Sequence, residues 1–252
     1  MMRSASRQAL AALREHEDTV LGARASVATL ITVADELYAV AALLVAQPRL
    51  RRTVGDPATE PERRAELLRQ LLADKVGRQA LDIATTAVSL RWSTPWDLTD
   101  ALEGAGDDTL FAAAEKDDGF DRLEDELFRF ERIVENEGEV AALLDETTVA
   151  PARRTAFLDS LVEGKVGTVT LALLRHAVAS ERKRSVVLAI EDLLERAAQH
   201  RQRSVARVIS AVPLTDEQER RLGAALSEMY NRPISVRSAL GASGHRCCGG
   251  DR

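Results

Sequence analysis

Histidine and cysteine at short spacing are the usual mark of a metal centre, and the chain has one such run, His245, Cys247 and Cys248. Tetrahedral sites want ligands spaced so that each can point inward, as in C-x-x-C. An H-x-C-C run has no such spacing and no fourth ligand nearby, so no metal site and no cofactor are expected. His16, His176 and His200 are scattered. His176 lies on an apolar stretch, where a base or ligand role competes with that of a half-buried core residue. There is no Gly-rich phosphate loop, no G-x-S-x-G, no H-E-x-x-H and no calcium loop. Carboxylates are abundant, but charge runs on helices are mostly solvated faces. No catalytic residue stands out, and an enzyme is not expected.

What must position any site is a helical scaffold. The 252 residues are 45% hydrophobic but only 4% aromatic. Such a core is built from Ala, Leu and Val, which favours packed helices over a β-sandwich. A formal net charge of −6 argues against nucleic-acid binding, which needs basic charge to displace counterions. No run approaches a membrane span, and MMRSASRQAL lacks the apolar core of a secretory signal. The expectation is a cytosolic chain that meets a membrane only through a partner. Adjacent Cys247 and Cys248 close no useful disulfide loop.

The apolar spacing predicts helices over 4–20, 27–45, from Pro61, 78–92, 96–102, 120–134, 140–144, 152–162, 169–178 and 185–198. Pro48 and the Gly55 to Pro57 stretch read as breaks, and Gly104 and Gly106 as the end of a helix. Residues 107–146 hold fifteen Asp/Glu against four Lys/Arg. That block reads as the solvated face of a core helix or as a surface for a basic partner. From Val205 the period switches to two, Thr215 and Gln218 form a capping signal, and a second strand follows near Val236.

The sequence repeats itself at an offset of ninety residues. Pro61, Arg63-Arg64, Leu68, Leu71 and Lys75-Val76-Gly77 face Pro151, Arg153-Arg154, Leu158, Leu161 and Lys165-Val166-Gly167. The expected fold is therefore mainly α: two tandem helical bundles, each with its own core, then a truncated small α/β domain. The expected boundaries are 1–106 for a divergent bundle copy, 107–204 for a six-helix bundle, 205–240 for an incomplete α/β domain and 241–252 for a disordered tail.

The segments TLFAAAEKDDGFDRLEDELFRF (109–130), NEGEVAALLDETTVAPARRTAFLDSLVEGKV (136–166) and VARVISAVPLTDEQERRLGAALSEMYNRPISV (205–236) resemble the δ subunit of F-type ATP synthases, the oligomycin-sensitivity-conferring protein family. The duplication resembles the enlarged actinobacterial type. The resemblance implies a non-catalytic stator in the peripheral stalk, at the cytoplasmic face of the cell membrane. Its bundle would grip the N-terminal helices of the α subunit, and its C-terminal domain the b subunit, so that proton flow drives ATP synthesis. By position, the α-subunit groove falls between 107–116 and 166–179, with Leu110, Phe111, Ala114, Val169, Leu173 and Ala177 as its residues. An alternative is a free-standing helical adaptor for amphipathic helices.

Past Val236 the family continues with a glycine pair, a strand, a G-D turn, a D-G-S strand and a final helix. Here the chain turns at Leu240 into GASGHRCCGGDR, which reads as a shifted frame or premature end. Binding to the b subunit is expected to be impaired.

Overall fold

In the computed structural model the described residues are 3–22, 25–180, 182, 185–203, 205–210, 215–230 and 235–240. They form helices α1 (Ser4–Leu21), α2 (Val27–Ala46), α3 (Pro48–Val54), α4 (Pro61–Leu72), α5 (Arg78–Ser89), α6 (Pro95–Lys116), α7 (Phe120–Asn136), α8 (Gly138–Asp145), α9 (Pro151–Val162), α10 (Thr168–Ala179), α11 (Val186–Arg203) and α12 (Asp216–Tyr230). Strands β1 (Val205–Ser210) and β2 (Ser235–Leu240) flank α12. The mainly helical architecture is as the composition requires. The tail from residue 241, with His245, Cys247 and Cys248, lies outside the described residues.

The chain divides into two compact units, residues 1–200 and 201–252. The expected boundary at 106/107 is thereby corrected, because it falls inside α6, which runs unbroken from Pro95 to Lys116. Gly104 and Gly106 do not end this helix. A Cβ at Gly106 would overlap the Tyr38 ring, so this glycine lets α2 pack closely on α6. Ala41 on α2 and Ala101 and Ala105 on α6 are buried as well. Leu98, Leu102, Leu110 and Phe111 on α6 and Leu37 and Leu44 on α2 are fully buried in the same core. Instead of two bundles with separate cores, one core runs through residues 9–197.

The ninety-residue repeat is real in three dimensions and explains why α6 must be continuous. Shifting by ninety residues maps α1 to α5 onto α6 to α10, and α6 onto α11. Helix α6 is thus the sixth helix of the first copy and the first helix of the second. Both Pro61 and Pro151 open their helices at N1. The Gly77 N–H at the start of α5 donates to Glu36 Oε1 at 2.9 Å, and the Gly167 N–H at the start of α10 donates to Glu126 Oε2 at 2.9 Å. A carboxylate at a helix N-terminus satisfies an orphan donor and faces the positive end of the dipole. Arg64 and Arg154 are each 3% exposed. Arg64 donates to the Leu90 and Ser89 carbonyls at 3.1 and 3.2 Å, closing the end of α5.

Pro48 breaks the chain as expected, with α2 ending at Ala46 and Gln47 outside either helix, and it is then the N1 residue of α3, whose Arg51 turns back to donate to the Leu44 carbonyl at 2.8 Å. One expectation changes. Helix α2, at 20 residues, is long and apolar enough to cross a membrane. Its Leu30, Val33, Leu37, Val40 and Leu44 are instead buried in the protein core.

In the second unit, β1 and β2 pair in parallel from Val205↔Ser235 to Ser210↔Leu240, with α12 as the crossover. The capping box is present: the Gln218 N–H donates to Thr215 Oγ1 at 3.3 Å and the Thr215 N–H to Gln218 Oε1 at 2.9 Å.

Candidate partner-binding surface

The six residues expected to line a groove come together, but inside the protein. Leu110, Phe111 and Ala114 on α6 and Val169, Leu173 and Ala177 on α10 are all buried, at no more than 8% exposure. Helical periodicity shows an apolar stripe without showing what covers it. Ala177 lines a cavity between α6, α10 and α11, Ala114 and Val169 line a small cleft beside α7, and a crevice of about 410 Å³ that none of the six lines opens between α2 and α10. Ile31, Asp35 and Tyr38 form one wall, and Thr168, Leu171, Ala172, Arg175 and Ala179 the other.

The end of this crevice is an electrostatic junction. The Tyr38 hydroxyl donates to Asp107 Oδ1 at 2.7 Å, and the Tyr38 ring stacks on His176 with centroids 3.5 Å apart. Arg196 donates to Asp107 Oδ2 at 2.9 Å. Burial pushes Asp107 up to about 7 despite the Arg196 charge. Burial, followed by the Arg196 charge, lowers His176 to about 4, so it is neutral at physiological pH. A second cavity, of about 340 Å³, opens beside the junction between α6, α10 and α11 and is lined by Asp100, Glu103, Asp107, Asp192, Arg182 and Arg196 among others. Its acids face bases: Arg182 pairs with Asp100 at 2.6 Å and Glu103 at 3.3 Å. The indole of Trp96 lies between Arg51 at 3.6 Å and Arg182 at 4.6 Å. This arrangement holds helices together.

A second polar cluster ties α1 and α11 to α6. Thr109 Oγ1 donates to buried Glu17 at 2.9 Å, and Arg14 pairs with Asp108 at 3.0 Å. Burial and the Asp108 charge push Glu17 up. His200 lies 3.7 Å from Asp108 and 3.3 Å from Glu115. Burial alone would lower His200, but its contacts to these two carboxylates outweigh it and raise the imidazole. Among the described residues no group of three His, Cys, Asp or Glu side chains is placed to hold a metal ion. Sequence reasoning missed Tyr38, Asp107 and Arg196, whose separations give no local pattern. It also missed the roles of Glu36 and Glu126, although the repeated Lys-Val-Gly marked the helix starts that they cap.

Comparison with known proteins places this scaffold. Residues 108–243 match the ATP synthase delta (OSCP) subunit family. The chain is 42% identical over 207 residues to ATP synthase subunit delta of Salinispora arenicola, covering 82% of this chain and 76% of the relative. It is 41% identical over 235 residues to the Streptomyces coelicolor subunit, covering 93% and 85%. With the Frankia alni subunit it shares 39% identity over 243 residues, covering 95% and 88%. These matches take in the first copy as well as the second. The chain therefore belongs to the ATP synthase delta (OSCP) subunit family.

Proposed function

We propose that this non-catalytic subunit is a stator of an F-type ATP synthase, joining the N-terminal helices of the α subunit to the b subunit of the peripheral stalk. The family match over residues 108–243 is the observation that carries the reading. A stator resists torque, so it must be stiff, and a shared α6 with one continuous core gives the two copies no hinge between them. In this reading the helical unit holds the α subunit and residues 205–240 hold b, at the cytoplasmic face of the cell membrane. The α-subunit helix enters the crevice beside α10, where Leu171 and Ala172 offer apolar contact. Leu110, Phe111, Ala114, Val169, Leu173 and Ala177 then belong to the core that holds α6 and α10 in place and not to the contact surface, because they are buried and none lines the crevice.

Crosslinking mass spectrometry on the assembled enzyme tests this. Links from α9 and α10 to the α subunit and from 205–240 to b are expected. Links to neither subunit, or full coupling of ATP synthesis to proton flow in membranes depleted of this chain, would overturn it.

A further inference from the structure

In the first copy, Tyr38 on α2 is covered by a helix of the second copy, while Asp35 beside it stays exposed. Tyr38 stacks on His176 of α10, and Leu171, Ala172 and Arg175 stand across the crevice. The Arg175 charge acts on Asp35. A helix that presents apolar residues thus covers the aromatic ring, and its Arg175 is held by Asp159 at 2.7 and 2.9 Å beside the exposed Asp35. Ninety residues on, α7 carries that face again, with Asp125 in place of Asp35 and Phe128 in place of Tyr38. Its surroundings differ. Phe128 is 53% exposed where Tyr38 is 6% exposed. Asp125, exposed as Asp35 is, pairs along its own helix with Arg129 at 2.7 Å. The helix holds six carboxylates against three arginines, and Glu131, on the Phe128 side, is pushed up by partial burial and by Glu135 and Glu191. An exposed ring in a negative field is matched by apolar anchors flanked by bases.

We propose that the α7 face centred on Phe128 and Asp125 docks a basic amphipathic helix of a partner protein, seated on α7 as α10 is seated on α2. The surface is separate from the α10 crevice assigned to the α subunit, and the inference does not depend on the stator reading. The chain itself supplies the template for the occupant: apolar side chains on one helical stripe, with Arg one turn beyond them.

The test uses the full chain and a fluorescein-labelled helical peptide. The peptide repeats the Leu-Ala-x-x-Arg-His spacing of residues 171–176 on one face and carries Gln elsewhere. Fluorescence anisotropy should show binding that weakens by about tenfold or more in Phe128→Ser and in Asp125→Arg. A second peptide with Glu in place of Arg should bind the parent poorly and Asp125→Arg better. The charge swap keeps the proposal falsifiable even if Phe128→Ser folds badly. Equal binding of both peptides to the parent, or unchanged binding in Phe128→Ser, overturns it. A parent dimer in sedimentation that Phe128→Ser converts to monomer would assign the face to a second copy and also overturn it.

Discussion

The Tyr38 hydroxyl donates a 2.7 Å hydrogen bond to Asp107 Oδ1 across 69 residues of sequence. The other oxygen of the same carboxylate accepts from Arg196 at 2.9 Å. One acid on the shared helix α6 therefore binds α2 from the first copy and α11 from the second. The Tyr38 ring meanwhile rests on His176 of α10. Position by position, the second copy has Phe128 and Ala197 where Tyr38 and Asp107 stand. The junction is thus a device for joining copies and is not part of the repeated unit.

Removing the hydroxyl should expose the cost of that bond. Tyr38→Phe keeps the ring on His176 but takes a donor from a buried acid, and should lower unfolding free energy by about 1–3 kcal/mol. Tyr38→Ala also empties the space against Gly106 and should cost about 3–5 kcal/mol. Urea denaturation reads both. A Tyr38→Phe variant as stable as the parent would mean that the hydrogen bond contributes nothing, and equal costs for the two variants that the ring adds nothing beyond it.

Asp107 sets a pH dependence. Its folded-state pKa is about 7, raised from an ordinary 3.8, so the folded protein keeps a proton that the unfolded chain releases. The contribution to stability is complete below about pH 4 and is lost as pH rises toward about 7. Asp107→Asn fixes the neutral form. Its stability relative to the parent should rise with pH, by up to about 1.4 kcal/mol per pH unit below about pH 7. A difference that is flat or falls between about pH 5 and about pH 8 would contradict this.

His176 runs the other way. Its pKa is lowered from 6.5 to about 4, so its contribution is present above about pH 6.5 and is lost as pH falls toward about 4. His176→Phe keeps a flat ring under Tyr38 and cannot titrate. Relative to the parent it should gain stability as pH drops through that window, as thermal melts at a series of pH values would show. The two slopes oppose each other, so the parent curve should be flatter than that of either variant.

Much of the fold was legible because it rests on local chemistry. Helix-opening Pro61 and Pro151 and the Thr215 capping box are short-range signals, and the structure places them as read. The repeat was legible from identities at one offset. What failed had non-local causes. Gly104 and Gly106 read as a stop because glycine weakens isolated helices, and only the Tyr38 ring across the interface shows why Gly106 is needed inside one. The groove residues come by position from the family resemblance, and position in a helix does not say whether the covering helix belongs to the same chain. Arg196 and Asp107 lie 89 residues apart, and no pattern in either helix announces their pairing.

The two capping glutamates should differ in weight although they occupy equivalent positions. Glu126 is 9% exposed and accepts from the Gly167 N–H at 2.9 Å and from Thr170 Oγ1 at 2.6 Å. Glu36 is half-buried and accepts from the Gly77 N–H at 2.9 Å. Glu126→Ala leaves a buried hydroxyl and a helix terminus unsatisfied and should cost about 2–3 kcal/mol, against about 1 kcal/mol for Glu36→Ala. Chemical denaturation of the two variants checks the order. A larger loss from Glu36→Ala would show that burial of the second cap adds nothing.

Gly106→Ala sets two effects of opposite sign against each other. Alanine is a better helix former than glycine by up to about 1 kcal/mol, and at Gly138, where an added Cβ meets nothing within 4 Å, that gain should be realised. At Gly106 the same methyl runs into the Tyr38 ring, which is fixed by Asp107 and His176 and cannot swing away. Overpacking of this kind costs about 1–3 kcal/mol, so Gly106→Ala should destabilise. The cause is isolated by a double-mutant cycle. In a Tyr38→Ala background the obstacle is gone, and Gly106→Ala should become neutral or stabilising. If the substitution is equally harmful in both backgrounds, the close approach of α2 to α6 is not set by that ring.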